Sequence, residues 1–344
     1  MNPRRKLLAF SVIALTGLAA AACSSSSSSS STPAAAASAG ASPSSSVDLS
    51  SVTLNVGDQK GTGAEAILKA AGLLSTLPFH VSWSDFTSGP PMLEAMASGS
   101  VDVGGVGDAP PVFAASGGED VEIVGARQVP SGDQDALVVP KGSTITSIAQ
   151  LKGKKIAYGS GTSANYHLLT VLAKAGLTTK DVTLVKLQPA DALAAFTSGS
   201  VDAWDIWPPY VQQVVAQDGA KVLAIGPQYG SPYSFEVAAK SSVANPAKAA
   251  AIQVYLTTLN KAYVWASAHP DAWGAAWATA SGLPTSITDV AAKVDSTTPV
   301  TIGSAITASE QNLVTQFYKA GLIPTNVNMT TYITSQFNSS VTGG

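Results

Sequence analysis

A pentapeptide that occurs twice constrains the fold of this chain more than any other feature. Ser98-Gly-Ser-Val-Asp102 returns letter for letter as Ser198-Gly-Ser-Val-Asp202, 100 residues later. Each copy follows a segment with the apolar spacing of an amphipathic helix, and each is followed by an aspartate and a pair of prolines. Because a repeated supersecondary unit indicates a repeated architecture, the pattern predicts two similar lobes in one chain.

Short apolar runs alternate with amphipathic helical segments on both sides of this repeat. From Val52 to Ala126 the chain reads as four strands separated by three helices, and a second run of the same kind begins near Asp135. Such alternation predicts an α/β fold built on mainly parallel sheets. After Val243 the pattern becomes strongly helical.

The order of these elements predicts how the chain divides into lobes. We expect the C-terminal helices to return to the first lobe and complete it. Lobe 1 would then comprise residues 51–134 and 236–344, and lobe 2 would comprise residues 135–235. The chain would cross between the lobes near Val129–Ala136 and near Gly226–Phe235, and these two segments are the predicted hinge.

The first 50 residues are predicted to lie outside the folded lobes. Residues 1–23 begin with basic residues, continue with an apolar stretch too short for a stable membrane span, and end with small residues before Cys23. This ending resembles the lipobox of bacterial lipoproteins, in which the cysteine becomes the lipidated N-terminus. The alternative is an ordinary signal peptide cut after an Ala-x-Ala site. Residues 24–50 are mostly Ser, Ala, Gly and Pro and are expected to form a flexible tether.

Composition excludes several classes of function. The net charge is −3 and only 12% of residues are charged, so the chain has no basic surface for a nucleic acid. A single cysteine allows no intramolecular disulfide. The three histidines are not clustered with acids or cysteines at metal-ligand spacing, so we expect neither a metal nor a cofactor.

Four loops place small or polar residues where a helix follows a strand. Helix N-termini present free N–H groups and the positive end of the macrodipole, and in open α/β sheets this edge is where ligands bind. The alternative is that Gly, Ser and Thr serve only as helix caps. A Gly-x-Gly at one loop is a weak match to a dinucleotide fingerprint, because no acid ends the next strand. The loops predict a shared anion site with these candidate residues: Gln59, Lys60, Gly61, Thr62, Ser88, Gly89, Ala109, Thr162 and Ser163.

Several large or charged side chains admit two interpretations. Trp207 lies at the end of a strand and is either an apolar wall for the ligand or part of a core. Arg127 ends a strand and is either a partner for the anion or a surface arginine. Trp265, Trp273 and Trp277 on the C-terminal helices are interpreted as core packing.

Two aspartates near the repeat also have two interpretations. Asp108 and Asp205 could be paired carboxylates for acid–base chemistry. We favour the alternative, in which Asp108 caps the helix at Pro110 and Asp205 fixes the region between the lobes. His167 lies inside a predicted helix without a readable serine and acid partner, which argues against a hydrolytic triad.

Longer stretches of the chain resemble the aliphatic-sulfonate-binding proteins of ABC importers, within the wider nitrate, sulfonate and taurine group of solute receptors. The resemblance runs from about Val52 to about Pro324. It implies a hinged, two-lobed fold of the type II periplasmic-binding-protein class, with the ligand between the lobes. The stretches that carry it are Gly57-Asp-Gln-Lys-Gly61, Phe86-Thr-Ser-Gly-Pro-Pro-Met-Leu-Glu-Ala95, Gly107-Asp-Ala-Pro-Pro-Val-Phe-Ala114, Pro189-Ala-Asp-Ala-Leu-Ala-Ala-Phe196 and Gly199-Ser-Val-Asp-Ala-Trp204 with Trp207 and Tyr210.

The resemblance also implies which residues hold the ligand, with two departures. The family often has Gly-Ser-Ser-Ala-His where this chain has Gly161-Thr-Ser-Ala-Asn165, and Arg127 stands where an uncharged or acidic residue is expected. These changes affect the choice of ligand more than the class of receptor. The implied ligand-binding positions match Gln59–Thr62, Ser88–Gly89, Asp108–Ala109, Thr162–Ser163 and Trp207.

The sequence therefore predicts a monomeric, lipid-anchored receptor at the outer face of the cytoplasmic membrane. It would bind an organosulfonate, with the head on N–H groups and hydroxyls and the tail against Trp207, and deliver it to ABC permease subunits. Three alternatives stay open: the same receptor for taurine, nitrate or a pyrimidine thiamine precursor, an enzyme on the same fold, and a surface protein that binds a macromolecule.

Overall fold

A computed structural model of the chain describes residues 47–59, 63–129, 132 and 134–342. The predicted signal segment, Cys23 and the tether as far as residue 46 lie outside the described residues, as do Lys60, Gly61 and Thr62 of the first loop. Leu49, near the end of the predicted tether, packs partly buried against the core of the first sheet. None of the helices among the described residues combines the length and apolar character needed to span a membrane.

Two sheets organise the described part of the chain. A six-stranded sheet has the order β11-β4-β10-β3-β1-β2, and a five-stranded sheet has the order β7-β6-β8-β5-β9. The strands are β1 (Thr53–Gln59), β2 (His80–Phe86), β3 (Val103–Val106), β4 (Val121–Gln128), β5 (Ala136–Val139), β6 (Lys155–Tyr158), β7 (Thr183–Lys186), β8 (Ala203–Ile206), β9 (Lys221–Ile225), β10 (Tyr233–Ala239) and β11 (Thr298–Val300).

Helices cover both sheets. Short 3-10 helices occur at Leu74–Thr76, Ile148–Leu151 and Met329–Thr331. The α-helices are α1 (Ala64–Ala70), α2 (Gly89–Ala97), α3 (Ala109–Gly117), α4 (Ser163–Lys174), α5 (Pro189–Thr197), α6 (Tyr210–Asp218), α7 (Lys240–Ala244), α8 (Pro246–Ala268), α9 (Pro270–Ser281), α10 (Thr285–Val294), α11 (Ser304–Lys319) and α12 (Ser339–Thr342).

Most strands of each sheet run in the same direction, as predicted, but both sheets are mixed. β1 pairs in parallel with β2 and β3, and β6 pairs in parallel with β7 and β8. However, β10 inserts antiparallel between β3 and β4, and β5 inserts antiparallel between β8 and β9. Each inserted strand comes directly after the chain has crossed from the other sheet, so it enters its sheet from the opposite end.

The two copies of the pentapeptide adopt the same conformation. Gly99 and Gly199 take positive φ angles of 82° and 73° in the turns that follow α2 and α5. The Oγ atoms of the two serines in each copy are hydrogen-bonded across the turn, at 3.1 Å in the first copy and 3.0 Å in the second. The Asp102 N–H donates to Asn55 O and the Asp202 N–H to Lys155 O, both at 2.8 Å. The repeat is therefore one helix–turn–strand unit, used once in each sheet.

The C-terminal helices pack on the first sheet. Leu54 and Val56 of β1 share a buried cluster with Ile252 and Leu256 of α8 and with Trp277 of α9. We propose that the two sheets are the centres of the two lobes, with residues 51–134 and 236–344 in lobe 1 and 135–235 in lobe 2. β10 begins at Tyr233, slightly ahead of the proposed boundary.

Candidate functional site

A cavity lies where the carboxyl ends of strands from the two sheets face each other. About 680 Å³ of space lies between its walls, and part of that space is open to solvent. Its walls come from both sheets and from the C-terminal helices. The lining residues are Gln59, Gly89, Val106, Gly107, Pro110, Arg127, Gln134, Thr162, Ser163, Trp207, Pro208, Ser234, Trp277 and Asp295.

Several predicted site residues meet in this cavity. Ser88, Asp108 and Ala109 are buried directly beside lining residues but do not line it. The six predicted residues that do line it are Gln59, Gly89, Arg127, Thr162, Ser163 and Trp207. Their role in holding a ligand stays a prediction.

Several residues that line the cavity were not predicted from the sequence to belong to the site. Gln134 and Ser234 lie within the two segments predicted to cross between the lobes. Their position in these segments could have identified them as residues near a site between the lobes. Trp277 and Asp295 come from the C-terminal helical region, and no local pattern connects them with the loops of either sheet. Only the return of that region to the first sheet brings them to the cavity.

Two helices from different sheets begin in the cavity wall. α2 starts at Gly89 and α4 at Ser163, and the preceding residues Ser88 and Thr162 are extended without a side-chain hydrogen bond that caps the helix. Neither Ser88 nor Thr162 therefore caps its helix through its side chain, and their part in holding a ligand stays a prediction. Pro90 and Pro91 have no N–H, so α2 offers an anion the Gly89 N–H alone. In α4 the Asn165 N–H donates to Thr162 O, which leaves the N–H groups of Ser163 and Ala164 for an anion.

The hydroxyl groups at this site are already engaged. Thr162 Oγ1 donates to Gly159 O at 2.8 Å, and Ser163 Oγ donates to Asp135 Oδ1 at 2.9 Å. Ser88 Oγ donates to Gln188 Oε1 at 3.1 Å. Each of these hydroxyls thus already donates to a protein acceptor, and the role of Thr162 and Ser163 as extra donors to a ligand stays a prediction.

The loops of the two sheets touch beside the cavity. Thr87 Oγ1 donates to Gln188 Oε1 at 2.9 Å, in addition to the bond from Ser88. Gly107 faces Ser163 so closely that a Cβ on Gly107 would lie 3.0 Å from Ser163 Cβ. The structure therefore has the two sheets in direct contact at the rim of the cavity.

Asp108 carries no capping bond, contrary to the interpretation favoured from the sequence. Its side chain makes no hydrogen bond that caps α3, and Oδ1 has no hydrogen-bond partner among the described residues. Burial, with a smaller contribution from the charge of Asp135, raises the pKa of Asp108 to about 8. Asp108 is therefore mainly neutral at pH 7 and does not repel an anion at the adjacent helix ends.

Asp205 pairs with His167 and not with Asp108. Both Asp205 carboxylate oxygens lie within 3.0 Å of His167 Nδ1, and both side chains are almost fully buried. Burial disfavours the imidazolium, but the Asp205 carboxylate outweighs it and raises the pKa of His167. Neither residue lines the cavity. His167 belongs to α4 and Asp205 to β8, so the pair joins a helix to a strand of the second sheet, and the predicted role of Asp205 between the lobes stays a prediction.

Arg127 is neither a surface arginine nor an uncompensated cation. Its Nη1 donates to Glu236 Oε1 at 2.8 Å, and the guanidinium carbon lies 4.6 Å from the centroid of the Tyr263 ring. The side chain is 17% exposed, and the exposed part faces the cavity. The Glu236 carboxylate largely neutralises the charge that Arg127 would offer to an anion.

Aromatic side chains form the apolar part of the cavity wall. Trp207 lines the cavity, whereas Trp204 is completely buried in the core of the second sheet. Trp273 and Trp277 stack with centroids 5.3 Å apart, and both are buried, as predicted. Trp277 also lines the cavity, and its Nε1–H has no hydrogen-bond partner among the described residues.

Comparisons with known proteins agree with this architecture. A family model described as NMT1/THI5 like matches residues 88–273. The putative aliphatic sulfonates-binding protein of Escherichia coli K12 is 35% identical over 289 residues, covering 83% of this chain and 89% of that protein.

Two solved structures are similar over most of their length. The alkanesulfonate-binding protein of Xanthomonas axonopodis pv. citri bound to MOPS has a TM-score of 0.77 and 32% identity, covering 83% of this chain and 99% of that one. The periplasmic aliphatic sulphonate binding protein of E. coli has a TM-score of 0.71 and 34% identity, with coverages of 82% and 92%. The predicted fold class, a two-lobed α/β fold of the periplasmic-binding kind, is confirmed.

Proposed function

Because the chain belongs to the NMT1/THI5-like family, we propose that it is the extracytoplasmic receptor of an ABC importer and that it binds an organosulfonate. Its similarity to two sulfonate-binding proteins over most of their length supports this ligand class. MOPS, which is bound in one of those proteins, carries a sulfonate group. These relatives are binding proteins, which favours a receptor over an enzyme.

The observation that carries the proposal is the meeting of two uncapped helix N-termini from different sheets. A sulfonate spreads one negative charge over three oxygens, so the Gly89 N–H of α2 and the Ser163 and Ala164 N–H groups of α4 can each donate to it. Such a site needs no unpaired cation, because the helix ends supply the positive potential. The neutral Asp108 and the paired Asp205 are consistent with an anion at this position.

The apolar part of the cavity wall can contact an alkyl tail of the ligand. Trp207, Trp277, Val106, Pro110 and Pro208 all line the same cavity. Burying a methylene group in such a wall contributes about 0.8 kcal/mol. We therefore expect affinity to increase with the length of the alkyl chain.

Trp207→Ala is expected to weaken binding of a long alkanesulfonate by about tenfold to thirtyfold, because the wall for the tail is lost. Methanesulfonate, which has no tail, should bind about equally to both proteins. Calorimetric titration of refolded residues 47–344 with methane-, butane- and octanesulfonate measures this, with taurine, nitrate and sulfate alongside.

Trp265→Ala is the matched control, since Trp265 stacks on His269 and does not line the cavity. Its affinities should equal those of the unmodified protein. If no sulfonate gives a binding signal at millimolar concentration, the proposed function is contradicted. Binding of nitrate alone would keep the receptor but change its ligand.

We further propose that Cys23 is the lipidated N-terminus, which would hold a monomeric receptor at the outer face of the cytoplasmic membrane. The small residues before the chain's one cysteine support this proposal. Cells fed an alkynyl fatty acid should yield labelled protein, and Cys23→Ser should yield unlabelled protein released from the membrane fraction. Equal membrane retention of the two proteins would argue against the anchor.

A further inference from the structure

One end of the cavity carries a charge that sulfonate binding leaves unexplained. Asp295, which follows α10, lines the cavity beside Arg127 and Trp277. It forms no hydrogen bond or close ion pair with any described residue. An ionised carboxylate at the wall of an anion-binding cavity repels the ligand unless the ligand offers it a positive group.

Arg127 does not cancel this charge, because it already has a partner. The guanidinium donates to Glu236 at 2.8 Å, and Glu236 also accepts from the Tyr263 hydroxyl at 3.3 Å. Arg127 and Glu236 together are neutral, so adding Asp295 leaves one net negative charge at this end. The attraction between Arg127 and Asp295 acts at a longer distance, without a hydrogen bond.

Among the described residues, which leave out Lys60, no other side chain near Asp295 supplies a cation. Asp58 is the other acid that acts on Glu236, and it accepts N–H bonds from Gln59, Ala64 and Glu65 at 2.9–3.0 Å. Tyr263 is partly buried, and desolvation raises its pKa far above the physiological range, so it stays neutral. Among the described residues the balance at this end therefore remains negative.

The cavity wall thus combines two features of opposite character. The helix N-termini of α2 and α4 favour an anion, whereas the Asp295 carboxylate favours a cation. Resting on the organosulfonate proposal, we propose that the preferred ligand is a zwitterion, a sulfonate whose other end carries a protonated amine held by the Asp295 carboxylate. Asp295 is then the residue that selects aminosulfonates over plain alkanesulfonates.

The ionisation of Asp295 gives this selectivity a pH dependence. Burial raises the pKa of Asp295 to about 6, and Arg127 opposes the shift. The carboxylate is charged above pH 6 and attracts the amine there, and this attraction is lost as the pH falls through 6. A plain alkanesulfonate should respond in the opposite sense, because protonation of Asp295 removes a repulsion.

The test compares isosteric ligand pairs on the unmodified protein and on Asp295→Asn. 2-Aminoethanesulfonate is paired with propane-1-sulfonate, and 3-aminopropanesulfonate with butane-1-sulfonate, so that each pair differs only in ammonium against methyl. At pH 7.5 the amino member of at least one pair should bind the unmodified protein about tenfold or more tightly than its partner, equivalent to about 1.4 kcal/mol. Asp295→Asn should remove that preference while the affinity for the plain sulfonate stays equal or increases.

The outcomes separate this inference from the proposed function. If plain sulfonates bind but neither amino ligand gains affinity, or if Asp295→Asn weakens both members of a pair equally, the zwitterion proposal is overturned and the receptor stands. If no sulfonate of either kind binds, the proposed function fails as well. Thermal unfolding of Asp295→Asn without ligand should match the unmodified protein, which shows that the variant is folded.

Discussion

Replacing Asp102 with alanine is expected to lower the free energy of unfolding by about 3–5 kcal/mol, because it breaks a buried charged network. Asp102 Oδ2 accepts the Asn55 N–H at 2.9 Å, and Oδ1 accepts from Ser242 Oγ and Lys248 Nζ at 2.6 Å each. The carboxylate is 2% exposed. It ties α2 and β3 to β1 and to the start of α8, so its loss leaves several buried groups without a partner.

Asp202→Ala is the matched variant at the second copy of the repeat. Asp202 Oδ2 accepts the equivalent N–H, from Lys155 at 2.8 Å, but Lys154 Nζ is 4.0 Å away and the side chain is 39% exposed. Water can replace the lost bond there, so we expect a cost of about 1 kcal/mol. Urea unfolding of both variants measures the difference. If both variants lose the same free energy of unfolding, the buried network around Asp102 contributes no stability beyond that of the turn common to both copies.

Replacing Gly107 with valine is expected to weaken ligand binding by about a hundredfold or more, equivalent to about 2.7 kcal/mol. A Cβ at this position would lie 3.0 Å from Ser163 Cβ and 3.1 Å from Ser163 Oγ, before the two methyl groups of valine are added. Since Gly107 and Ser163 belong to different sheets, the protein can relieve the clash by separating the sheets without unfolding. That separation would pull the two helix N-termini apart.

Gly303→Val is the control for this variant, because a Cβ at Gly303 meets no atom within 4 Å. Its affinity should equal that of the unmodified protein. Solution scattering of Gly107→Val with saturating ligand should show a larger radius of gyration than the control. Unchanged affinity in Gly107→Val would show that the contact between the sheets is not needed for binding.

The sequence is informative where the periodicity of a strand is reinforced by its flanking turns. The predicted alternation of strands and helices from Val52 to Ala126, with a second run from near Asp135, matches β1 to β4 and the five strands of the second sheet.

Long-range pairing is what the sequence could not reveal. β10 was not predicted, since its place between β3 and β4 depends on partners more than 100 residues earlier in the chain. The same holds for the site: the helix N-termini at Gly89 and Ser163 carry a local signature, whereas Trp277 and Asp295 reach the cavity only through tertiary packing.

The sequence pattern also could not show which charged side chains are neutralised by a partner or by burial. Arg127 was a candidate partner for the anion because it ends a strand, but Glu236 follows it by 109 residues and neutralises it. The capping role given to Asp108 was wrong because spacing alone does not show where a carboxylate points. Burial decides the charge of such groups, and burial follows from the assembled fold.

The most direct test of this account is a crystal structure of the complex with 2-aminoethanesulfonate, with data collected at a wavelength where sulfur scatters anomalously. The account predicts an anomalous peak for the ligand sulfur within hydrogen-bonding reach of the backbone N–H groups at the starts of α2 and α4. The ligand nitrogen should point towards Asp295. A sulfur peak beside Arg127, or one outside the cavity, would contradict the account.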